Sequence, residues 1–403
     1  MPRGRFFAES GRILVVSLRF SGITIEGLDQ RGYIKGLDHI HVRSGFLTEG
    51  TLFVLNDLLN LVVDNEASDL HLTVGTPPII RVDGELIATD LDVLTPMDTR
   101  SLVYNMLTAE QQKKFEDDLE LDISYSVHGF GRFRVNVYKQ RGCIAAAFRI
   151  IPSKIPTLEE LRVVPVVTEF AKLHKGLCLV TGPTGSGKST TLAALVDLIN
   201  ETRRCHIITI EDPIEYLHYH KKSIVNQREL HVDTKSFGGA LKHLLREDPD
   251  VILVGEMRDF ETIETALTLA ETGHLVFGTL HTTDAAQTIN RIVDVFPPHQ
   301  QSQVRTQLSF VLRAVVAQQL MATSSGRGRV VCQEILIVNP AVQNIIREQK
   351  IQQLYTVMQT GQNLGMRTFE QSLKELYNRG EITYQEAMTH TTRPEELARM
   401  LKG

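Results

Sequence analysis

Cysteine is scarce in this sequence. Its four residues, Cys143, Cys178, Cys205 and Cys332, lie far apart with no CxxC pair, so no common zinc-ligand spacing exists and no zinc is expected. They read as buried thiols in a reducing compartment. Long apolar runs are lacking too: no segment approaches the roughly 18 residues of a spanning helix. "ILVVSL", between Arg12 and Arg19, is shorter than the apolar region of a signal peptide and has no convincing cleavage site. A cytosolic protein is expected. Positive charge is not in excess, because 43 Lys and Arg against 48 Asp and Glu leave a net charge of -5. Such a chain offers no global basic footprint, and nucleic acid is not expected as a partner. Internal repeats and low-complexity tracts are also missing.

What is present is the mixture of a globular protein, 42% hydrophobic and 23% charged over 403 residues, with room for two or three domains. Residues 1–53 form a Gly- and Arg-rich extension to which no chemistry is assigned. Residues 54–150 combine a helical pattern, "VLNDLLNLVVDNEAS", with short strands such as "DLHLTV" and "PIIRVDGEL", which predicts a small α+β domain. Residues 151–156, around two prolines, read as a linker. From 157 to 403 apolar strands alternate with helices: "LCLVT", "HIITIE", "VILVGE" and "HLVFGTL". Uninterrupted apolar strands are buried on both faces, so the fold class is α/β with a mainly parallel sheet, followed by helices from about residue 340.

The chemistry gathers at the ends of those strands. "TGPTGSGKSTT" places Gly182, Pro183, Thr184, Gly185, Ser186, Gly187, Lys188, Ser189 and Thr190 in the GxxxxGK(S/T) phosphate loop, between a buried strand and a helix. Backbone amides wrap the phosphates, Lys188 reaches the β- and γ-oxygens, and Ser189 ligates Mg²⁺. ATP and Mg²⁺ are the expected ligands. Glu211 and Asp212 end "HIITIED", and Glu256 ends "DPDVILVGE", where strand C-termini line the ligand crevice of an open α/β sheet. Glu256 is expected to orient or deprotonate water, and either Glu211 or Glu256 to assist Mg²⁺ through water. His281 follows the last strand and is placed to sense the γ-phosphate, whereas His274 before it reads as structural. In "GRFRVNVYKQRG" Arg132 and Arg134 leave one strand face, which by itself reads as solvated charge. "NPAVQNIIREQK" reads as a capped amphipathic helix with Val342, Ile345 and Ile346 on its apolar face.

Taken in order, the four motif segments at 182–190, 208–216, 248–259 and 273–283 resemble the Walker A, Asp, Walker B and His boxes of the secretion-type ATPases of type II secretion and type IV pili. "ASDLHLTVGTPPIIRVDGEL" resembles the N-terminal domain of the PilT-type pilus retraction ATPases within that group. The resemblance implies a RecA-like ATPase domain preceded by a PAS-like domain, a ring of six subunits, and an inner-membrane pilus platform and paralogous pilus ATPases as partners. It implies a cytoplasmic motor, peripheral at the inner membrane, with Lys188, Glu211, Glu256 and His281 in catalysis and Arg134 and Arg149 as candidate trans arginines. Asp250 begins its strand and is a poor Mg²⁺ ligand. "AVQNIIRE" resembles the AIRNLIRE motif tied to retraction, with Asn344, Arg347 and Glu348 matching and Gln343 replacing an arginine. The alternatives are a PilU-type accessory ATPase, an extension or type II secretion ATPase, whose usual tetracysteine zinc module is missing here, a weakly hydrolysing regulatory subunit, and a nucleic-acid translocase.

Overall fold

An antiparallel sheet and a mainly parallel sheet organise the described residues. A computed structural model describes residues 53–402 apart from 83, 128–130, 152–153 and 327, so the expected extension over 1–53 lies, but for residue 53, outside the described residues. The N-terminal part runs α1 (Leu55–Asp64), β1 (Asp69–Leu72), β2 (Ile79–Val82), β3 (Glu85–Ala88), α2 (Pro96–Met106), α3 (Ala109–Asp118), β4 (Glu120–Val127), β5 (Gly131–Gln140) and β6 (Cys143–Ile151). Its strands form one six-stranded antiparallel sheet in the order β3-β2-β1-β6-β5-β4. Thr95 and Thr108 each close a capping box, which sets the starts of α2 and α3. Phe133, Val135 and Val137 of β5 are fully buried, as their period of two predicts.

The second part runs β7 (Gly176–Thr181), α4 (Lys188–Thr202), β8 (His206–Glu211), β9 (Ile224–Glu229), α5 (Phe237–Leu244), β10 (Val251–Val254), α6 (Phe260–Glu271), β11 (Leu275–Leu280), α7 (Ala285–Asp294), α8 (Gln301–Val311), β12 (Leu312–Ala322), β13 (Arg329–Ile337) and α9 (Pro340–Arg347). Helices α10 (Leu354–Thr360), α11 (Phe369–Asn378), α12 (Tyr384–His390) and α13 (Pro394–Lys402) complete it. The seven-stranded sheet has the order β13-β12-β7-β11-β10-β8-β9 and is parallel except at the β12/β13 hairpin. All six residues of both β7 and β11 are buried, so helices cover both faces. One face carries Leu179, Ile208, Ile210 and Val276 against α6, α7 and α8; the other carries Val180, Ile207 and Phe277 against α4.

Strand β12 directly continues α8 with no loop between them. Its sequence, "LRAVVAQQLMA", is as compatible with helix as with strand, and it becomes a strand because β7 and β13 bond it on both sides. Phe277 is completely buried in the face against α4, on the strand that leads to His281. Phe277→Ala should lower the unfolding free energy by about 3–5 kcal/mol in denaturant titration, and a loss under about 1 kcal/mol would contradict this packing.

Candidate active site

Between β7 and α4 the chain turns through residues 182–187. Gly182 has a φ of +143°, and a Cβ there would collide with the Gln318 carbonyl oxygen of β12, so only glycine fits. Gly187, at φ +85°, is the N-cap of α4 without a side-chain cap, which leaves the first-turn amides of α4 to an anion. Ser186 is buried, and its Oγ has no hydrogen-bond partner among the described residues. Free amides and an orphaned hydroxyl are the donor set a phosphate requires. Lys188 Nζ donates to the carbonyls of Gly182 and Pro183 at 2.8 and 3.0 Å. Burial lowers the pKa of this ammonium, while the charges of Glu256 and Glu215 work in the other direction. Thr184, Gly185, Ser189 and Thr190 line a cleft of about 520 Å³ with Lys188, and Glu211, Glu256 and His281 line the same cleft.

The parallel sheet brings these together. Strand β8 ends on Glu211, β10 is followed by Gly255 and Glu256, and β11 by His281. His281 Nε2 lies 3.0 Å from Glu256 Oε1, and Arg258 Nε donates to the same oxygen. Arg258 and His281 thus both stand against one oxygen of the Glu256 carboxylate. Glu211 is held by Thr209 Oγ1 at 2.6 Å and Gln227 Nε2 at 3.2 Å. Burial pushes its pKa up to about 7, against those two hydrogen bonds and with help from the negative charges of Glu215 and Glu229. Asp250, at the other end of β10, accepts from the His206 amide at 2.8 Å and takes no part. His274 Nδ1 lies 3.0 Å from the Leu269 carbonyl, a structural contact.

The two arginine candidates separate. Arg134 lines the cleft of its own chain, beside Lys188 and Asp212. Arg149, directly opposite it on β6, instead donates to Asp69 Oδ1 at 2.8 Å and is not among the cleft residues. Arg258 and Glu215 were not singled out in the sequence, although both sit inside the motif boxes, at "GEMRD" and "EDPIEY".

A family model described as "Type II/IV secretion system protein" matches residues 52–389. The chain belongs to this family. Within the type II/IV secretion family it is 51% identical over 341 residues to the type IV pilus retraction ATPase PilT of Pseudomonas aeruginosa, covering 85% of this chain and 99% of that protein. To the type IV pilus ATPase PilU of the same organism it is 42% identical over 345 residues, covering 86% of this chain and 90% of the relative. Its fold matches a crystal structure of the pilus retraction motor PilT with bound ADP at a TM-score of 0.82 and 52% identity, covering 87% of this chain and 100% of that one. The relative of known structure holds ADP, which supports nucleotide binding in the type II/IV secretion family.

The C-terminal motif lies away from this cleft. Asn339 Oδ1 accepts from the Val342 amide at 2.9 Å and caps α9, whose Val342, Ile345 and Ile346 are buried. Asn344, Arg347 and Glu348 are exposed, and none lines the cleft. Arg347 reaches back over α8, 3.4 Å from Ser309 Oγ and 5.7 Å above the Phe310 ring.

For Glu211 the linkage has a definite sign. Its pKa stands near 7 in the folded chain against an ordinary value of 4.5, so ionisation destabilises the fold progressively as pH rises between those values. Glu211→Gln carries no such cost. Its stability relative to wild type, from urea titration of the nucleotide-free protein, should rise by on the order of 2 kcal/mol between about pH 5 and about pH 8, and a flat difference would contradict the burial of this carboxyl.

Proposed function

We propose that this chain hydrolyses ATP and that the hydrolysis drives type IV pilus retraction, the movement behind twitching motility. The observation that carries the hydrolytic part is the contact of His281 Nε2 with Glu256 Oε1 at the mouth of the phosphate loop. That contact joins a base to a residue able to answer the γ-phosphate. Lys188 leaves the carbonyls of Gly182 and Pro183 to meet the β- and γ-oxygens of ATP. Glu256 Oε2 takes the proton of the attacking water while His281 and Arg258 fix Oε1. Arg134 adds positive charge from the N-terminal sheet. Ser189 Oγ would hold Mg²⁺ directly, with Glu211 or Glu256 assisting through water, and the ion would supply positive charge against the phosphates.

The retraction part rests on two supports: the greater identity to the retraction ATPase than to PilU, and the exposed polar face of α9. The working assembly we infer is a homo-hexameric ring in the cytoplasm, docked peripherally on the inner-membrane pilus platform and working beside paralogous pilus ATPases. No helix among the described residues is long and apolar enough to cross a membrane, which fits attachment through a partner. With a net charge of -5 the chain lacks the footprint of a nucleic-acid translocase.

Glu256→Gln should lower kcat by about 10²-fold or more with nucleotide affinity retained, and undiminished turnover would end the hydrolytic reading. Deleting the gene should leave surplus surface pili and abolish twitching; loss of piliation would refute retraction. Arg347→Ala should keep most ATPase activity yet impair twitching, and equal loss of both would make α9 a packing element alone.

A further inference from the structure

Two residues before Arg134, on the same face of β5, Arg132 has a different partner. Its Nη2 pairs with Glu229 Oε2 on β9 of the ATPase domain, and both side chains are nearly buried, 13% and 5% exposed. Ser124 Oγ of β4 donates to the same carboxylate, at 2.9 Å to Oε1 and 3.2 Å to Oε2. So does the Ile214 amide, at 3.0 Å to Oε2. Among the described residues, the hydrogen bonds that cross from the N-terminal sheet to the ATPase domain converge on Glu229.

The place of Glu229 makes this convergence matter. In the β8/β9 register it stands directly beside Glu211, and its hold on Ile214 pins the chain just beyond Asp212 and Pro213. One carboxylate therefore ties the N-terminal sheet to the loop that walls the nucleotide cleft. On the other side, the rigid pleat carries the anchored Arg132 and the cleft-lining Arg134 together, so fixing the first aims the second.

We propose that Arg132 and Glu229 form an intrachain latch that positions Arg134 in the nucleotide cleft and releases it when the two domains part. A buried ion pair suits such a latch. Breaking one partner away leaves the other charge desolvated and unanswered, so the pair favours two states, both ions together or both in water, over any intermediate. Domain opening must break the pair and withdraw Arg134; closing restores both. Arg132 touches no phosphate and is a positioning residue. This rests on the ATP-hydrolysis reading above and adds to it the residue through which nucleotide state and domain position are coupled.

The test is steady-state ATP hydrolysis and fluorescent-ADP binding by the full chain in wild type, Arg132→Ala, Arg132→Lys, Glu229→Gln, Arg134→Ala and the Arg132→Ala/Arg134→Ala double variant, with Glu256→Gln as control. Glu229→Gln is isosteric and reads loss of the charge without opening a hole. The latch predicts that Arg132→Ala and Glu229→Gln each lower kcat about tenfold with ADP affinity within about twofold of wild type, and that Arg132→Lys recovers part of the loss. It further predicts that the double variant falls no lower than Arg134→Ala alone. Losses that multiply in the double variant, ADP affinity that falls along with kcat, or wild-type kcat in Glu229→Gln beside an inactive Glu256→Gln, would each overturn the latch. A fully active Glu256→Gln would instead overturn the hydrolytic reading.

Discussion

Parallel pairing of β7, β11, β10 and β8 is the constraint on which the rest of the site depends, because it fixes four strand C-termini side by side along one edge. The phosphate loop leaves β7, His281 follows β11, Glu256 follows β10, and Glu211 ends β8. Residues a hundred positions apart in the chain thus face a single cleft. The same pairing needs apolar burial on both faces, and β7 and β11 are accordingly buried along their whole length. Packing therefore sets the distances on which the chemistry relies.

Gathering those ends also gathers charge. Glu211, Glu215 and Glu256 share the cleft with Lys188, Arg134 and Arg258, and burial leaves Glu211 with a pKa near 7. A carboxyl held near neutrality responds to whatever positive charge arrives, so a Mg²⁺–nucleotide complex would both bind it and ionise it. Glu334 shows the same physics in a different role. It lies buried on β13, its pKa raised to about 7 by burial, and accepts from the Ala285 amide at 2.8 Å. There it holds the start of α7, a few residues beyond His281, against the strand leading to the C-terminal helices.

Much of this was legible in the sequence, and particular residues show why the rest was not. The phosphate loop, Glu211, Glu256 and His281 are local signals: each sits at a junction that hydrophobic patterning marks. The capped α9 was equally visible, because Asn339, Pro340 and the spacing of Val342, Ile345 and Ile346 act within one helix. Arg132 and Arg149 were not. Periodicity puts Arg132 and Arg134 on one face, but it cannot show that Glu229, 97 residues away, claims the first, or that Asp69, 80 residues away, claims Arg149. Strand β12 was hidden for a related reason: its local propensity is ambiguous and only its neighbours decide it.

We propose that Lys188, Glu211, Glu256, His281 and Arg134 of one chain form a single ATP-hydrolysing centre. The most direct measurement is a high-resolution structure of the Glu256→Gln variant with ATP and Mg²⁺. The γ-phosphate should lie within hydrogen-bond reach of Lys188 Nζ, with Ser189 Oγ on the metal, and His281 and Arg134 of the same chain facing the phosphates. Nucleotide bound elsewhere, or bound here with His281 and Arg134 turned away from the γ-phosphate, would contradict it.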